Sequence, residues 1–243
     1  MVWLPFAVLL FSSSAPLPLV VIDPGHGGEK DGAVGACGVK EKDVALAISL
    51  RLRDLLRASG KVEVLLTREE DRDVDLEERT KLANTAGAVL FISVHANASL
   101  DPRHHGVESY FLSRKVADKK IIAMAKRENE GRMPEAPKSD DALAHILGDL
   151  RADAAHIESQ RLSKRLQRGM NKSLNARGRG LMQAPFIVLV GAEMAAALVE
   201  VGFMSNPGEC KKLITKTYQT RIARTLGASI LTHLEREGPL AMK

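Results

Sequence analysis

Aromatic side chains are scarce in this chain of 243 residues, which holds one Trp, two Tyr and six Phe. Its core must therefore be packed from aliphatic residues, and an apolar share of 45% supplies them. Cysteine is almost absent. Two residues, Cys37 and Cys210, exclude a disulfide framework, and each is expected to be a small buried thiol rather than a bridge or a ligand. No compact Lys/Arg run is interleaved with aromatics, which argues against a nucleic-acid binder. Neither GxGxxG nor the P-loop pattern occurs, so the HGG at 26–28 is not expected to cradle phosphate. Internal repeats and low-complexity tracts are missing too. The apolar run in the first 20 residues is short and broken by Pro5, Pro16 and Pro18, which is a poor membrane span.

The charge balance is 35 basic against 30 acidic residues, or +5, with an isoelectric point near 9.2. That suits an anionic partner such as cell wall or membrane surface, and ordinary solubility equally well. Residues 1–18 read as a leader, an apolar stretch followed by small residues with a cleavage point near Ala15. No Lys or Arg precedes the apolar stretch and the first strand follows at once, so a misassigned start is the alternative.

From residue 19 the chain alternates short apolar runs with segments of helical spacing. Strands are expected at 19–23, 61–67, 88–94, 106–112, 186–190 and 196–201. Helices are expected at 44–57, 76–86, 157–173 and 218–235. This order predicts an α/β fold, a single domain over 19–238 with a mostly parallel mixed sheet flanked by helices. Between 113 and 159 the composition turns rich in Lys, Asp, Glu and Ala. Two helices, 116–129 and 141–154, are expected there, joined by the polar linker GRMPEAPKSDD, as a helical insertion on the core.

Four polar residues stand at the ends of the apolar runs or beside them. His26 closes LVVIDPGHGG, Glu41 follows 15 residues later, His95 closes VLFISVHAN, and Glu200 interrupts AAALVEVGF. In parallel sheets ligands gather beyond the carboxyl ends of strands, where His26, His95 and Glu200 fall. Two histidines and a carboxylate can hold one zinc ion and leave a position open for water. Glu41 has a plainer reading as a first-turn acid favoured by the helix dipole. Glu200 has none, because a carboxylate inside an apolar run must be paired, ligated or neutralised. Beside a metal-bound water it suits general-base work. Asn97, Ser205 and Asn206 are expected to shape loops, with their amides and hydroxyl also able to face substrate. His104 and His105 read as solvated loop residues, and His145, His156 and His233 as surface or packing residues.

The segments VVIDPGHGG, GVKEKDVALAISLRL, VEVLLTREEDRDVDLEERTKLAN, LFISVHANA, GVESYFLS and ALVEVGFMSNPGE, in this order, resemble the zinc-dependent N-acetylmuramoyl-L-alanine amidases. These are bacterial cell-wall amidases of the amidase-3 type, and the likeness covers about 19–234. It implies hydrolysis of the amide between N-acetylmuramic acid and the L-alanine of the peptidoglycan stem peptide. It also implies one zinc ion (Zn2+) held by His26, Glu41 and His95, Glu200 as the catalytic carboxylate, and export to the periplasm or cell exterior. The 113–159 segment is similar to the regulatory segment of division-associated members, in which a helix covers the active site until a protein activator displaces it. Ala125-Lys126-Arg127-Glu128-Asn129 is most similar to that helix, with Glu128 the residue that would plug the zinc. A plain surface helix is the alternative. Those members carry an N-terminal targeting domain, for which the residues ahead of the first strand leave no room. A monomer acting on peptidoglycan, without nucleic acid, is the expected state.

Two other functions compete. A carboxypeptidase-like zinc peptidase also uses His, Glu and His, but its first two ligands sit close together as HxxE, unlike the spacing of 15 here. An inactive wall-binding module would be favoured by loss of one of the four polar residues, and all four are present.

Overall fold

The computed structural model describes residues 16–113, 116–134, 142–176 and 178–237. A six-stranded sheet forms the centre, built from β1 (Leu19–Pro24), β2 (Glu63–Leu66), β3 (Leu90–Asn97), β4 (Val107–Leu112), β5 (Gly178–Ala184) and β6 (Ala195–Phe203). Their order across the sheet is β2-β1-β3-β6-β4-β5. The first four run parallel, β4 is antiparallel to β6, and β5 is parallel to β4. Strands β3 and β6 are buried along their whole length, as central strands covered on both faces must be.

Helices cover both faces. On one face α1 (Glu41–Ala58), α4 (Ala142–Leu174) and α6 (Lys216–Glu237) pack aliphatic stripes onto the sheet. Val44, Ile48 and Leu52 of α1, Leu162, Leu166 and Met170 of α4, and Ile222, Leu226 and Ile230 of α6 share one cluster. Their spacing of three or four residues is what places them on one side of each helix. The other face carries α2 (Leu76–Thr85), α3 (Lys119–Glu128) and a 3₁₀ turn (Ile187–Leu189), packed on Phe91, Leu198 and Phe186. A short helix, α5 (Pro207–Leu213), follows β6.

The expected α/β architecture is what the chain adopts, and several local expectations are corrected. The helices read at 141–154 and 157–173 are one continuous helix, α4, because nothing at residues 155–156 breaks it. Ala155 is buried, and the Ser159 hydroxyl bonds back to its carbonyl at 2.6 Å. Residues 186–190, read as a strand, form the 3₁₀ turn; a short apolar run reports burial, not conformation. Gly178–Ala184, where no strand is expected from the sequence, is the edge strand β5. Cys37 and Cys210 are not separate thiols. They form a disulfide across 173 residues with Cα atoms 6.0 Å apart. The loop before α1 meets the exit of β6 there, where Ala36 N–H donates to the Met204 carbonyl at 2.8 Å. That encounter is tertiary, so two isolated cysteines could not reveal it. Residues 1–15, with most of the expected leader, and 135–141, with most of the polar linker, lie outside the described residues. Among the described residues no helix is long and apolar enough to cross a membrane.

Candidate active site

His26 sits in the turn that leaves β1, in a left-handed conformation with φ of 57°. That conformation costs an L-residue roughly 1–2 kcal/mol and needs support from its surroundings. Two buried guanidinium groups provide it. Arg79 donates to the carbonyls of Pro24 (2.9 Å) and His26 (3.0 Å), and Arg68 to those of Pro24 (3.1 Å) and Gly25 (2.7 Å). Arg79 also pairs at 2.9 Å with Asp23, a fully buried carboxylate that accepts from Thr67 and Ser93 as well. Burial alone would raise the Asp23 pKa, but Arg79 and the two hydroxyls hold it below the usual carboxylate range. Gly25 is required by close approach, because a Cβ there would lie 2.5 Å from the His95 ring.

Glu41 opens α1, yet it is 1% exposed and faces inward. Its Oε2 accepts from Ala33 N–H at 2.9 Å and its Oε1 from Ala96 N–H at 3.0 Å. His95, near the end of β3, brings Nδ1 within 2.9 Å of Glu41 Oε1. His26 Nε2 lies 3.2 Å from Glu41 Oε2, and the two imidazole centroids are 4.9 Å apart. Glu128, the last residue of α3, completes the cluster, with Oε2 3.1 Å from His26 Nε2 and 3.2 Å from His95 Nδ1. One ligand atom from each of these four residues falls within 4.8 Å of the others. The register of α3 places Glu128 there: Ile121, Met124 and Ala125 pack inward, and Glu128 is one turn beyond on the same side.

The electrostatics follow from this crowding. Burial would lower the His26 pKa, but Glu41 and Glu128 drive it up to about 10. His95 is raised for the same reason. Burial would raise Glu41, but the imidazole of His26 brings it down to about 2. Glu128 is lowered by both histidines against the same burial.

Glu200 stands opposite His95 in the β3–β6 register and is fully buried. Neither of its oxygens has a hydrogen-bond partner among the described residues. Burial first, then the charges of Glu128 and Glu41, push its pKa well above the ordinary value. Glu108 on β4 pairs with it across the sheet. Glu108 Oε2 in turn accepts from Asn97 Nδ2 at 2.8 Å and Tyr110 OH at 2.7 Å.

Ser205 and Asn206 serve loop structure. The Ser205 hydroxyl accepts from Ser99 N–H, while Asn206 caps α5 through Gly208 and Glu209 N–H and donates to the Pro102 carbonyl. His104 bonds to the Ser99 hydroxyl, His105 and His156 are exposed, and His233 is buried in α6. The side chain of His145 lies outside the described residues. Sequence reasoning missed Arg127, Glu108, Arg79 and Arg68. Glu108 carried the signal that revealed Glu200, a carboxylate inside an apolar run. The arginines carried none, because a cation's burial depends on partners from other elements.

The sequence matches the N-acetylmuramoyl-L-alanine amidase family over residues 20–232. The chain belongs to that family. It is therefore an amidase of peptidoglycan, which decides against the peptidase reading. This amidase is 34% identical over 222 residues to the N-acetylmuramoyl-L-alanine amidase AmiA of Escherichia coli K12, covering 88% of this chain and 75% of that relative. The solved catalytic domain of CwlV, an amidase from Bacillus (Paenibacillus) polymyxa, superposes with a TM-score of 0.70 at 26% identity, over 90% of this chain and 99% of that one. The CwlD amidase of Clostridioides difficile, solved in complex with the GerS lipoprotein, gives 0.69 at 25% identity, over 90% of this chain and 99% of that one.

Proposed function

We propose that this amidase is zinc-dependent, with His26, Glu41 and His95 holding the ion and Glu200 serving as general base. The observation that carries the reading is the convergence of two imidazoles and two carboxylates on one point. His26 Nε2 and Glu128 Oε2 approach to 3.1 Å, yet neither makes a hydrogen bond among the described residues, as befits donors aimed at a shared cation rather than at each other. The nitrogen and oxygen donor set suits zinc. Zinc, when bound, supplies a Lewis acid that polarises the scissile carbonyl and acidifies a water. Glu200, unpaired and beside His95, takes the proton from the attacking water. It then delivers that proton to the alanine nitrogen as the C–N bond breaks.

A hydrolytic zinc site needs an open position, and here Glu128 fills it. We read α3 as a block built into the chain. A protein activator that binds the unblocked form more tightly would shift the population towards it. The lipoprotein complex of the related CwlD amidase is a precedent for a protein partner on this fold. The substrate lies outside the cytoplasm, so we place the protein in the periplasm or cell exterior, with residues 1–18 as its leader. Controlled cleavage of this kind suits the separation of daughter cells.

The test compares wild type with Glu128→Ala on purified peptidoglycan, with product analysis. The reading expects stem peptides with a free N-terminal alanine, released faster by the variant. Products in which alanine stays joined to muramic acid would overturn the reaction. An unchanged rate in a folded, metal-loaded variant would overturn the block.

A further inference from the structure

Arg127 stands beside Glu128 in the last turn of α3, with 42% of its side chain exposed. Its guanidinium nevertheless makes four polar contacts. Two go to Glu128 Oε1, at 2.9 and 2.8 Å. The others go to the end of β3, to the Ala98 carbonyl at 2.7 Å and to Asn97 Oδ1 at 3.0 Å. Beneath the arginine Asn97 is only 3% exposed. Chemistry fixes its orientation. A carboxylate accepts and a guanidinium only donates, so Nδ2 must face Glu108 and Oδ1 must face outward. The Asn97 amide is thus clamped from behind, and with Ala98 O it presents two acceptors two and three residues beyond His95.

Acceptors with no donor are costly once water is excluded. When α3 departs it takes Arg127 with it, and this acceptor pair is laid open at the edge of the catalytic cluster. A stem peptide is a chain of amides, so the alanine of the scissile bond is followed by a further backbone N–H donor. We propose that Asn97 Oδ1 and the Ala98 carbonyl form the subsite that receives the peptide N–H following the alanine, and that Arg127 occupies this subsite while the helix is docked. Arg127 then does two things in the closed state. It steadies Glu128 in the cluster, and it holds the place of a substrate donor. This inference rests on the amidase and block reading above.

The experiment measures binding of a soluble muramoyl peptide to Glu128→Ala/Glu200→Gln protein by calorimetry, so that turnover plays no part. The same peptide with an ester oxygen in place of the N–H after alanine is measured beside it. The amide should bind about 5- to 10-fold more tightly than the ester, the scale of one hydrogen bond. Adding Asn97→Ala should remove most of that difference, which a merely structural role for Asn97 would leave intact. Adding Arg127→Ala should strengthen amide binding. Equal affinities for amide and ester, or no binding of either, would overturn the subsite, and that comparison needs no mutation at Asn97. The hydrolysis rate of Glu128→Ala tests the block separately, so either can fail without the other.

Discussion

Buried ionisable side chains must balance one another, and at the site they do so through unequal roles. His26, Glu41, His95 and Glu128 bring one ligand atom each within 4.8 Å of the others, whereas Glu200 has no hydrogen-bond partner among the described residues. On the proposed function, that difference separates groups that hold a cation from a group that moves a proton. Glu200→Gln keeps the shape and removes the base, so turnover should fall by at least about 10²-fold with metal retained. Metal analysis beside a rate assay checks both halves. Beneath the site, Asp23→Ala would strand the buried guanidinium of Arg79, and breaking such a pair costs about 3–5 kcal/mol. Denaturant unfolding reads this directly, and a loss under about 1 kcal/mol would show the pair is dispensable. At this scale the sequence was legible where a polar residue broke an apolar run, as with His95 and Glu200. It was silent at Arg127 and Arg79, whose importance lies in carbonyls and carboxylates that only folding brings near.

The elements differ in how firmly they are held. Helix α3 is held by Ile121, Met124 and Ala125 packed inward, by Glu128 in the cluster, by the Arg127 contacts at β3 and by Asn129 at its end. Asn129 is 1% exposed, donates to the Pro185 carbonyl at 2.7 Å and accepts from Ile187 N–H at 2.8 Å. Asn129→Ala should release the end of α3, raising its cleavage by added protease while α1 and α6 stay protected. The disulfide acts elsewhere, joining the loop before Glu41 to α5. Cys37→Ser/Cys210→Ser should lower stability by about 2–5 kcal/mol, and a melt of the oxidised and double-variant proteins measures it. Helical and strand periods marked α1, β1, β3 and β6 well because each has one buried face or two. They failed at the edge strand β5, which has glycines and no alternation, and at the 3₁₀ turn, whose apolar residues imitate a strand. α5 was also overlooked, although Asn206-Pro207 with Glu209 is a helix start in miniature.

For the molecule as a whole, strand and helix alternation was enough to foresee a mostly parallel α/β sheet flanked by helices. The crossover that sets β6 between β3 and β4 was not, since pairing across distant segments has no local pattern. One global property follows from His233, which is buried in α6. Burial first and then Arg165 and Arg161 lower its pKa to about 4, with Glu237 opposing them. The folded state therefore binds fewer protons than the unfolded one between pH 6.5 and 4. Its contribution to stability is full above pH 6.5 and is lost as the pH falls towards 4. His233→Gln should flatten that part of the stability curve. The central claim is that one metal centre made by His26, Glu41 and His95 drives amide cleavage. Metal content measured together with hydrolysis, for wild type and His95→Ala, tests it most directly. One zinc per chain is expected in the wild type, with loss of both zinc and activity in the variant. A His95→Ala protein that hydrolyses peptidoglycan at the wild-type rate, with or without zinc, would contradict it.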